Sequence, residues 1–155
     1  METATAAAAM VAGGSLAPAL AGQVFFSQTP HGVWVQAYFT GFPDGGASRF
    51  HGFHIHERGV CAPVNGVEFT QAGEHYNPGG QPHPQHAGDL PPLLTTANGT
   101  ARMCFLTDRF RVSDILGRAV IVHAQPDDFT TQPAGASGAW LGCGVIRAAQ
   151  HTGRP

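Results

Sequence analysis

The chain has 155 residues, the length of one domain, and 43% of them are hydrophobic, which is enough to bury a core. Charged residues make up only 12%, about half of the roughly 25% typical of proteins, and the formal net charge is −2. These values speak against nucleic-acid and membrane partners, and no apolar run reaches the roughly 18 residues of a membrane-spanning helix. Nine histidines stand beside ten carboxylates, a ratio that points towards metal binding.

The first 21 residues are rich in alanine and invite comparison with a secretion signal, but their composition argues against one. Glu2 is acidic where a signal peptide is basic, and Gly13, Gly14 and Pro18 interrupt the apolar stretch. We therefore expect residues 5–11 to form a strand of the domain, and we expect the protein to be cytoplasmic.

Short strands dominate the chain, as the period-two alternation of residues 33–40 illustrates. The sequence predicts eight strands, at residues 5–11, 22–27, 33–40, 51–56, 93–97, 100–106, 118–123 and 141–147. Asn98-Gly99 predicts a hairpin with a type I′ turn, and residues 109–115 make at most one or two helical turns. Eight short strands without crossover helices predict one all-β domain over residues 1–155, an antiparallel sandwich or barrel.

Two long segments between predicted strands, residues 57–92 and 124–139, have few strand-forming residues and are rich in glycine and proline. Loops of this length inside a compact domain are usually functional. Most of the histidines lie where these loops meet the strands, so we expect the functional site there.

His54 and His56 flank Ile55 on one predicted strand, so their side chains point to the same face, about 6.6 Å apart along the strand. Two imidazoles so placed can chelate one ion, although an ordinary exposed pair is the alternative. His123 ends a separate apolar strand and, taken alone, has the pattern of an ordinary residue at a strand end.

Loop 57–92 carries a denser group, because His75, His83, His86 and Asp89 lie within fifteen residues. Three imidazoles and a carboxylate suit tetrahedral zinc, and the intervening glycines and prolines let the chain bend around an ion. A solvated histidine-rich loop is the alternative. Together with the strand histidines these residues make seven candidates, which indicate two neighbouring metals, or one metal and chance.

Five segments of the chain resemble the Cu/Zn superoxide dismutase family, in the family's order. They are HGFHIHE at 51–57, AGEHYNP at 72–78, GDL at 88–90, GRAVIVH at 117–123 and LGCGVI at 141–146. The resemblance runs from about residue 5 to residue 150. It implies an eight-stranded antiparallel Greek-key barrel or sandwich with two long functional loops, an architecture of which this family is itself an example.

The resemblance also implies which residues bind metal. Copper would be bound by His54, His56, His75 and His123, and zinc by His75, His83, His86 and Asp89. The deprotonated ring of His75 would bridge both ions, and Asp127 would hydrogen-bond histidines of both sites. An ordinary turn residue, in the sequence Pro126-Asp127-Asp128, is the alternative for Asp127. An all-imidazole site suits copper that cycles between two oxidation states, and the carboxylate suits redox-inert zinc.

The three cysteines permit one disulfide and one thiol or, in a reducing compartment, three free thiols. The resemblance implies a disulfide between Cys61 and Cys143, which ties the metal-loop region to the last strand. Cys104 would then be the unpaired thiol, interpreted as a small buried apolar residue.

One position departs from the family, in which an arginine three residues before the final cysteine attracts and hydrogen-bonds superoxide. Here that position is Trp140. Loss of one charge-assisted hydrogen bond costs about 1.5–3 kcal/mol, or about ten- to a hundredfold in rate. Loop 124–139 has two acids and no base, so it adds no attraction for an anion. Arg58 lies two residues after His56 and would share the face of His54 and His56 on a continuous strand. It is our candidate for a residue that partly replaces the missing arginine in attracting the anion.

Two functions follow from the resemblance. The first is a superoxide dismutase of reduced efficiency, which converts superoxide to oxygen and hydrogen peroxide while His75 passes a proton as its bridge to copper opens and closes. The alternative is a catalytically weak or inactive relative that buffers copper or zinc, acts as a decoy or binds copper-delivery proteins. The complete set of metal-binding residues favours the enzyme, and Trp140 favours the alternative. A purely structural sandwich without metal is a third interpretation, and a homodimer is a further hypothesis because the family is often dimeric.

Overall fold

The computed structural model of the protein describes residues 4–150 and consists mainly of antiparallel strands. The strands are β1 (Ala6–Gly13), β2 (Ala21–Thr29), β3 (Gly32–Thr40), β4 (Phe50–His51), β5 (Phe53–His56), β6 (Leu93–Leu94), β7 (Ala101–Thr107), β8 (Ala119–His123) and β9 (Trp140–Ala148). A short helix, α1 (Val112–Ile115), precedes β8, and a 3₁₀ turn, Thr70–Ala72, lies between β5 and β6. Within residues 4–150, no helix has the length and hydropathy needed to cross a membrane.

Seven strands form one curled antiparallel sheet in the order β5-β8-β9-β1-β2-β3-β7, and β4 pairs with β6 in a second sheet. The two sheets connect at both ends. At one end, β4 continues into β5 through Gly52. At the other end, Thr95, next to β6, pairs with Ala101 of β7. The spatial order departs from the chain order, since β9 lies between β8 and β1 and β7 lies beside β3. The predicted all-β antiparallel barrel is confirmed, and residues 6–13 form one of its inner strands.

The segment predicted as one strand over residues 51–56 is divided into β4 and β5, so the described residues contain nine strands where the sequence predicts eight. The division lies at Gly52, whose N–H donates to the Gln125 carbonyl and whose carbonyl accepts the N–H of His123. A side chain does not fit there, because a Cβ would lie 2.4 Å from Oγ of Ser137. Gly52 therefore lets loop 124–139 lie against the start of β5.

The turn between β6 and β7 differs from the predicted type I′ hairpin. Gly99 has a positive φ of 77°, but Asn98 does not, whereas a type I′ turn requires it at both positions. The Thr96 carbonyl accepts the Gly99 N–H, and the Thr96 N–H donates to the Thr100 carbonyl. This is the pattern of a three-residue loop that ends in a left-handed glycine.

The core lies between the inward faces of the strands. Every second residue of β3 is buried, as its alternation predicts: Val33, Val35, Ala37 and Phe39. Phe39 packs edge-on against Phe53 of β5, with ring centroids 5.9 Å apart. Cys104 is exposed, so its interpretation as a buried residue is wrong. The reason is its register, since Cys104 lies beside Gln36 on the outward face of the sheet.

A disulfide joins Cys61, in the loop after β5, to Cys143 of β9. It links residues that are 82 positions apart and holds the first part of loop 57–92 against the last strand. The pairing implied by the family resemblance is confirmed.

Candidate metal centre

Three buried histidines meet where β5 and β8 lie side by side. These strands are antiparallel, with His54 opposite Ile121, and His123 is the last residue of β8. The ring centroid of His123 lies 4.8 Å from that of His54 and 5.5 Å from that of His56. The two β5 histidines reach the same point because residues two apart in a strand share a face.

His75, from loop 57–92, adds a fourth imidazole. Its backbone forms a β-bridge with His56, and its ring centroid lies 4.0 Å from that of His54 and 4.9 Å from that of His56. One nitrogen from each ring lies within 4.8 Å of the others. We call His54, His56, His75 and His123 the four-histidine cluster, and its arrangement could hold one metal ion.

A second group of donors surrounds Asp89. Its Oδ1 lies 2.8 Å from Nδ1 of His75, and its Oδ2 lies 3.0 Å from Nδ1 of His83. Nδ1 of His86 lies 3.2 Å from Oδ2 of Asp89 and 3.2 Å from Nδ1 of His75. We call His75, His83, His86 and Asp89 the Asp89 cluster. Three nitrogens and one oxygen at these separations are the kind of tetrahedral donor set that zinc prefers.

His75 belongs to both clusters through different ring atoms. Its Nδ1 faces Asp89, whereas its Nε2 is buried and has no hydrogen-bond partner among residues 4–150. Nδ1 of His54, Nε2 of His56 and both ring nitrogens of His123 are likewise buried without partners in this part of the chain. Buried polar atoms are nearly always paired, so four neighbouring imidazole rings that each have an unpaired nitrogen fit a bound metal cation.

Hydrogen bonds hold the second ring nitrogen of two members of the four-histidine cluster, His54 and His56. Nδ1 of His56 lies 2.7 Å from the Gly73 carbonyl, and Nε2 of His54 lies 2.8 Å from Oδ2 of Asp127. The other oxygen of Asp127 lies 2.7 Å from Nε2 of His83, so one carboxylate connects the two clusters. Contacts of this kind set the tautomer and the orientation of metal-binding rings.

The surroundings favour neutral rings for His54, His56 and His123 and an ionised Asp127. Burial lowers the pKa of His54 to about 4 and that of His56 to about 3, and it also lowers the pKa of His123 well below 6.5. Burial opposes ionisation of Asp127, but hydrogen bonds from His54 and His83 outweigh it and hold the pKa of that carboxyl well below its usual range. Neutral imidazole is the form that binds metal.

Comparison with known proteins identifies the family. A family model described as copper/zinc superoxide dismutase matches residues 20–146, most of the chain. The chain belongs to the copper/zinc superoxide dismutase family. It is similar to the Cu-Zn superoxide dismutase of Legionella pneumophila, with 36% identity over 137 residues that cover 84% of this chain and 80% of the relative. The enzyme of Deinococcus radiodurans is 36% identical over 144 residues, which cover 82% of this chain and 77% of the relative.

Two solved structures have a similar fold, and one of them is named as a member of the copper/zinc superoxide dismutase family. The Cu/Zn superoxide dismutase from Brucella abortus is similar to this chain with a TM-score of 0.78 and 28% identity, covering 90% of this chain and 98% of that one. The clock protein EA4 gives a TM-score of 0.82 at 28% identity, covering 96% of this chain and 98% of that one.

In this copper/zinc superoxide dismutase family member, the four-histidine cluster opens into a cleft of about 290 Å³. Trp140 forms one wall, with its ring centroid 4.5 Å from that of His56 and 5.7 Å from that of His123. Glu74 and Gln132 contribute to other parts of the lining. Within the described residues, this lining contains no arginine, and Glu74 is its one carboxylate. An anion that enters the cleft therefore meets no fixed positive side chain from residues 4–150.

Arg58 is not part of the cleft lining. Its Nε donates to the Gln71 carbonyl at 2.9 Å, and its guanidinium pairs with Glu57 at 2.7 Å. The Arg58 side chain is 57% exposed. The structure does not bring Arg58 to the histidines, and its role as an anion guide stays a prediction.

Three contacts around the Asp89 cluster were not foreseen from the sequence. Gln132 accepts the backbone N–H of His83 and donates to its carbonyl, each at 2.8 Å. Gly135, with φ 72°, leaves room for the carboxylate contact, because a Cβ there would lie 2.1 Å from Oδ1 of Asp127. Arg109 donates to backbone carbonyls of the loop that carries the cluster. No local pattern reveals these contacts, since the partners are distant in the chain.

Proposed function

We propose that this protein is a superoxide dismutase that disproportionates superoxide at a copper site bridged to a zinc site. One observation carries the proposal: within residues 4–150, four neighbouring buried imidazole rings each have an unpaired nitrogen, and one of these rings, His75, joins the Asp89 cluster through its other nitrogen. The four-histidine cluster would bind copper, and the Asp89 cluster would bind zinc. The donor types support this division, since an all-imidazole set suits a redox-active ion and a carboxylate suits zinc.

Bound copper supplies one-electron chemistry, by which one superoxide is oxidised to oxygen and a second, with two protons, is reduced to hydrogen peroxide. The residues of the chain arrange the site and handle the protons. The His75 ring belongs to both clusters and lines the cleft, so its unpaired Nε2 can take up a proton and donate it towards the cleft. Nδ1 stays beside Asp89, so the ring keeps its position during the transfer.

Asp127 fixes the position of one cluster relative to the other. It accepts hydrogen bonds from His54 of one cluster and His83 of the other, and the backbone N–H of Phe129 donates to it at 2.8 Å. An ionised carboxylate in this place makes both rings stronger electron donors to a metal. Its role is therefore to orient the rings and not to contact superoxide.

The cleft supports a reduced efficiency. Superoxide is an anion, and a wall of Trp140 with the nearby Glu74 provides no electrostatic attraction. The same observation favours the second candidate function, a metal-binding relative with weak or absent turnover that acts as a copper or zinc buffer or as a decoy.

Reconstitution with copper and zinc separates the two functions. We expect equal amounts of the two metals by elemental analysis and a rate of superoxide consumption above that of buffer. A His123→Ala variant serves as the matched control, because it should keep zinc and lose both copper and activity. Full metal content without activity above buffer would establish the metal-binding alternative, and protein without bound metal would overturn both.

Three further expectations belong to this proposal and stay predictions. A homodimer is tested by light scattering of the purified chain, and binding to copper-delivery proteins by co-purification with a metallochaperone. Cytoplasmic location is tested by fractionation of the source cells.

A further inference from the structure

The backbone of His123 is not held by a regular strand ladder. The pairing of β8 with β9 is irregular between Val122 and His123. The His123 N–H donates to the Gly52 carbonyl on the other side. Irregularities of this kind redirect a side chain, and they leave backbone groups that need other partners. The carbonyl of His123 has such a partner in Nδ1 of His51, at 2.8 Å.

His51 is buried between the His123 carbonyl and Asp44, with 1% of its surface exposed. Its Nε2 lies 2.9 Å from Oδ2 of Asp44, and its ring lies 4.5 Å from that of Phe42. The His51 ring thus links the Asp44 carboxylate on one side to the His123 carbonyl on the other. Asp44 thereby helps to fix the orientation of the His51 ring against the backbone of His123.

Asp44 is held in turn by Thr95. The Thr95 hydroxyl donates to Oδ2 of Asp44 at 2.7 Å and accepts the Arg49 N–H at 3.0 Å. Neither Asp44 nor His51 nor Thr95 lines the cleft beside Trp140. These side chains therefore reach the four-histidine cluster through the backbone of His123.

We propose that Asp44 is a positioning residue for copper, which acts through His51 to hold the His123 carbonyl and so to direct the His123 ring. This inference rests on the proposed function, because it assigns His123 to the copper site. Changes to groups that hold a metal-binding residue typically alter metal affinity 10–100-fold. We expect Asp44→Ala to weaken copper binding by about that factor and to leave zinc binding unchanged, since His123 is not part of the Asp89 cluster.

The test uses the full chain and measures the two metals separately. Competition with chelators gives the Cu(II) and Zn(II) affinities, and the electron paramagnetic resonance spectrum of bound Cu(II) reports the geometry of its nitrogen donors. Asp44→Ala should shift this spectrum, whereas Asp44→Asn, which keeps an oxygen acceptor for His51, should restore it. Asp114→Ala is the matched control, because it removes a carboxylate at α1. If Asp44→Ala fails to fold, Thr95→Val tests the same chain of contacts and should shift the spectrum in the same direction.

The outcomes distinguish this inference from the proposed function. A folded Asp44→Ala or Thr95→Val variant with wild-type copper affinity and spectrum would overturn the inference. Equal weakening of copper and zinc would also overturn it, because that result reveals a general loss of stability. A wild-type protein that binds no copper through the four-histidine cluster would overturn the proposed function, and the inference with it.

Discussion

An arginine in place of Trp140 should accelerate superoxide turnover. The Trp140 ring lies 4.5 Å from that of His56 and 5.7 Å from that of His123, so a long cationic side chain at this position reaches the edge of the four-histidine cluster. The introduced guanidinium and a superoxide anion about 6 Å from it would attract each other by about 3 kcal/mol at an effective dielectric constant of about 20. A charge-assisted hydrogen bond contributes about 1.5–3 kcal/mol. At about 1.4 kcal/mol per factor of ten, Trp140→Arg should raise the rate about 10–100-fold.

The assay is superoxide decay after pulse generation, with protein loaded with copper and zinc and with ionic strength varied. Salt screens attraction between exposed charges, so the gain in Trp140→Arg should shrink as ionic strength rises. Trp34→Arg is the matched control, because Trp34 is 39% exposed on β3 and does not line the cleft. It should change the rate little. A fully metal-loaded Trp140→Arg protein with the wild-type rate would refute the idea that missing charge limits turnover.

Three other predictions concern Arg58, a glycine and the pH dependence. If Arg58 attracts superoxide from its place outside the cleft lining, Arg58→Ala should lower the rate of superoxide consumption and its dependence on salt. An unchanged rate and salt dependence would discard the anion-guide hypothesis. Gly135→Ala should reduce zinc affinity at least about tenfold in chelator competition, because its Cβ would enter the Asp127 contact. Gly80→Ala, with a positive φ but open space around its Cβ, is the control, and equal losses would contradict the steric argument. Because burial lowers the pKa of His54 to about 4 and that of His56 to about 3, the folded metal-free protein keeps both rings neutral while the unfolded chain protonates them near pH 6.5. Its free energy of unfolding in urea should therefore fall between pH 7 and pH 4, by up to about 1.4 kcal/mol per ring and pH unit, and a flat profile would show that these rings are accessible to protons.

Much of the candidate site follows from local patterns in the sequence. Strand periodicity places His54 and His56 on one face, and the dense donors of loop 57–92 indicate a second site without any knowledge of the fold. The resemblance to a known family adds the division between the two metals and the disulfide. Each of these signals depends on residues that are close in the chain or on short motifs.

The remainder depends on contacts between distant segments. Gly52 interrupts a strand because loop 124–139 packs against it, and periodicity within residues 51–56 carries no sign of that loop. Asp44 is an ordinary turn residue by composition, and its bonds to His51 and Thr95 exist only once β4 and β6 are paired. The sequence predicts the strand that contains Cys104, but the exposure of this residue follows from its pairing with Gln36 of β3, which only the folded sheet shows.

Because the ring of His75 belongs to both clusters, metal binding at one cluster would be thermodynamically linked to metal binding at the other. An ion bound by the Asp89 cluster would change the basicity of the His75 nitrogen that faces the four-histidine cluster, and the reverse would also hold, because both nitrogens share one aromatic system. The empty and the doubly loaded protein are connected by two routes of equal total free energy. The factor by which bound zinc changes the copper affinity must therefore equal the factor by which bound copper changes the zinc affinity. The order in which the metals bind decides only which singly loaded protein accumulates.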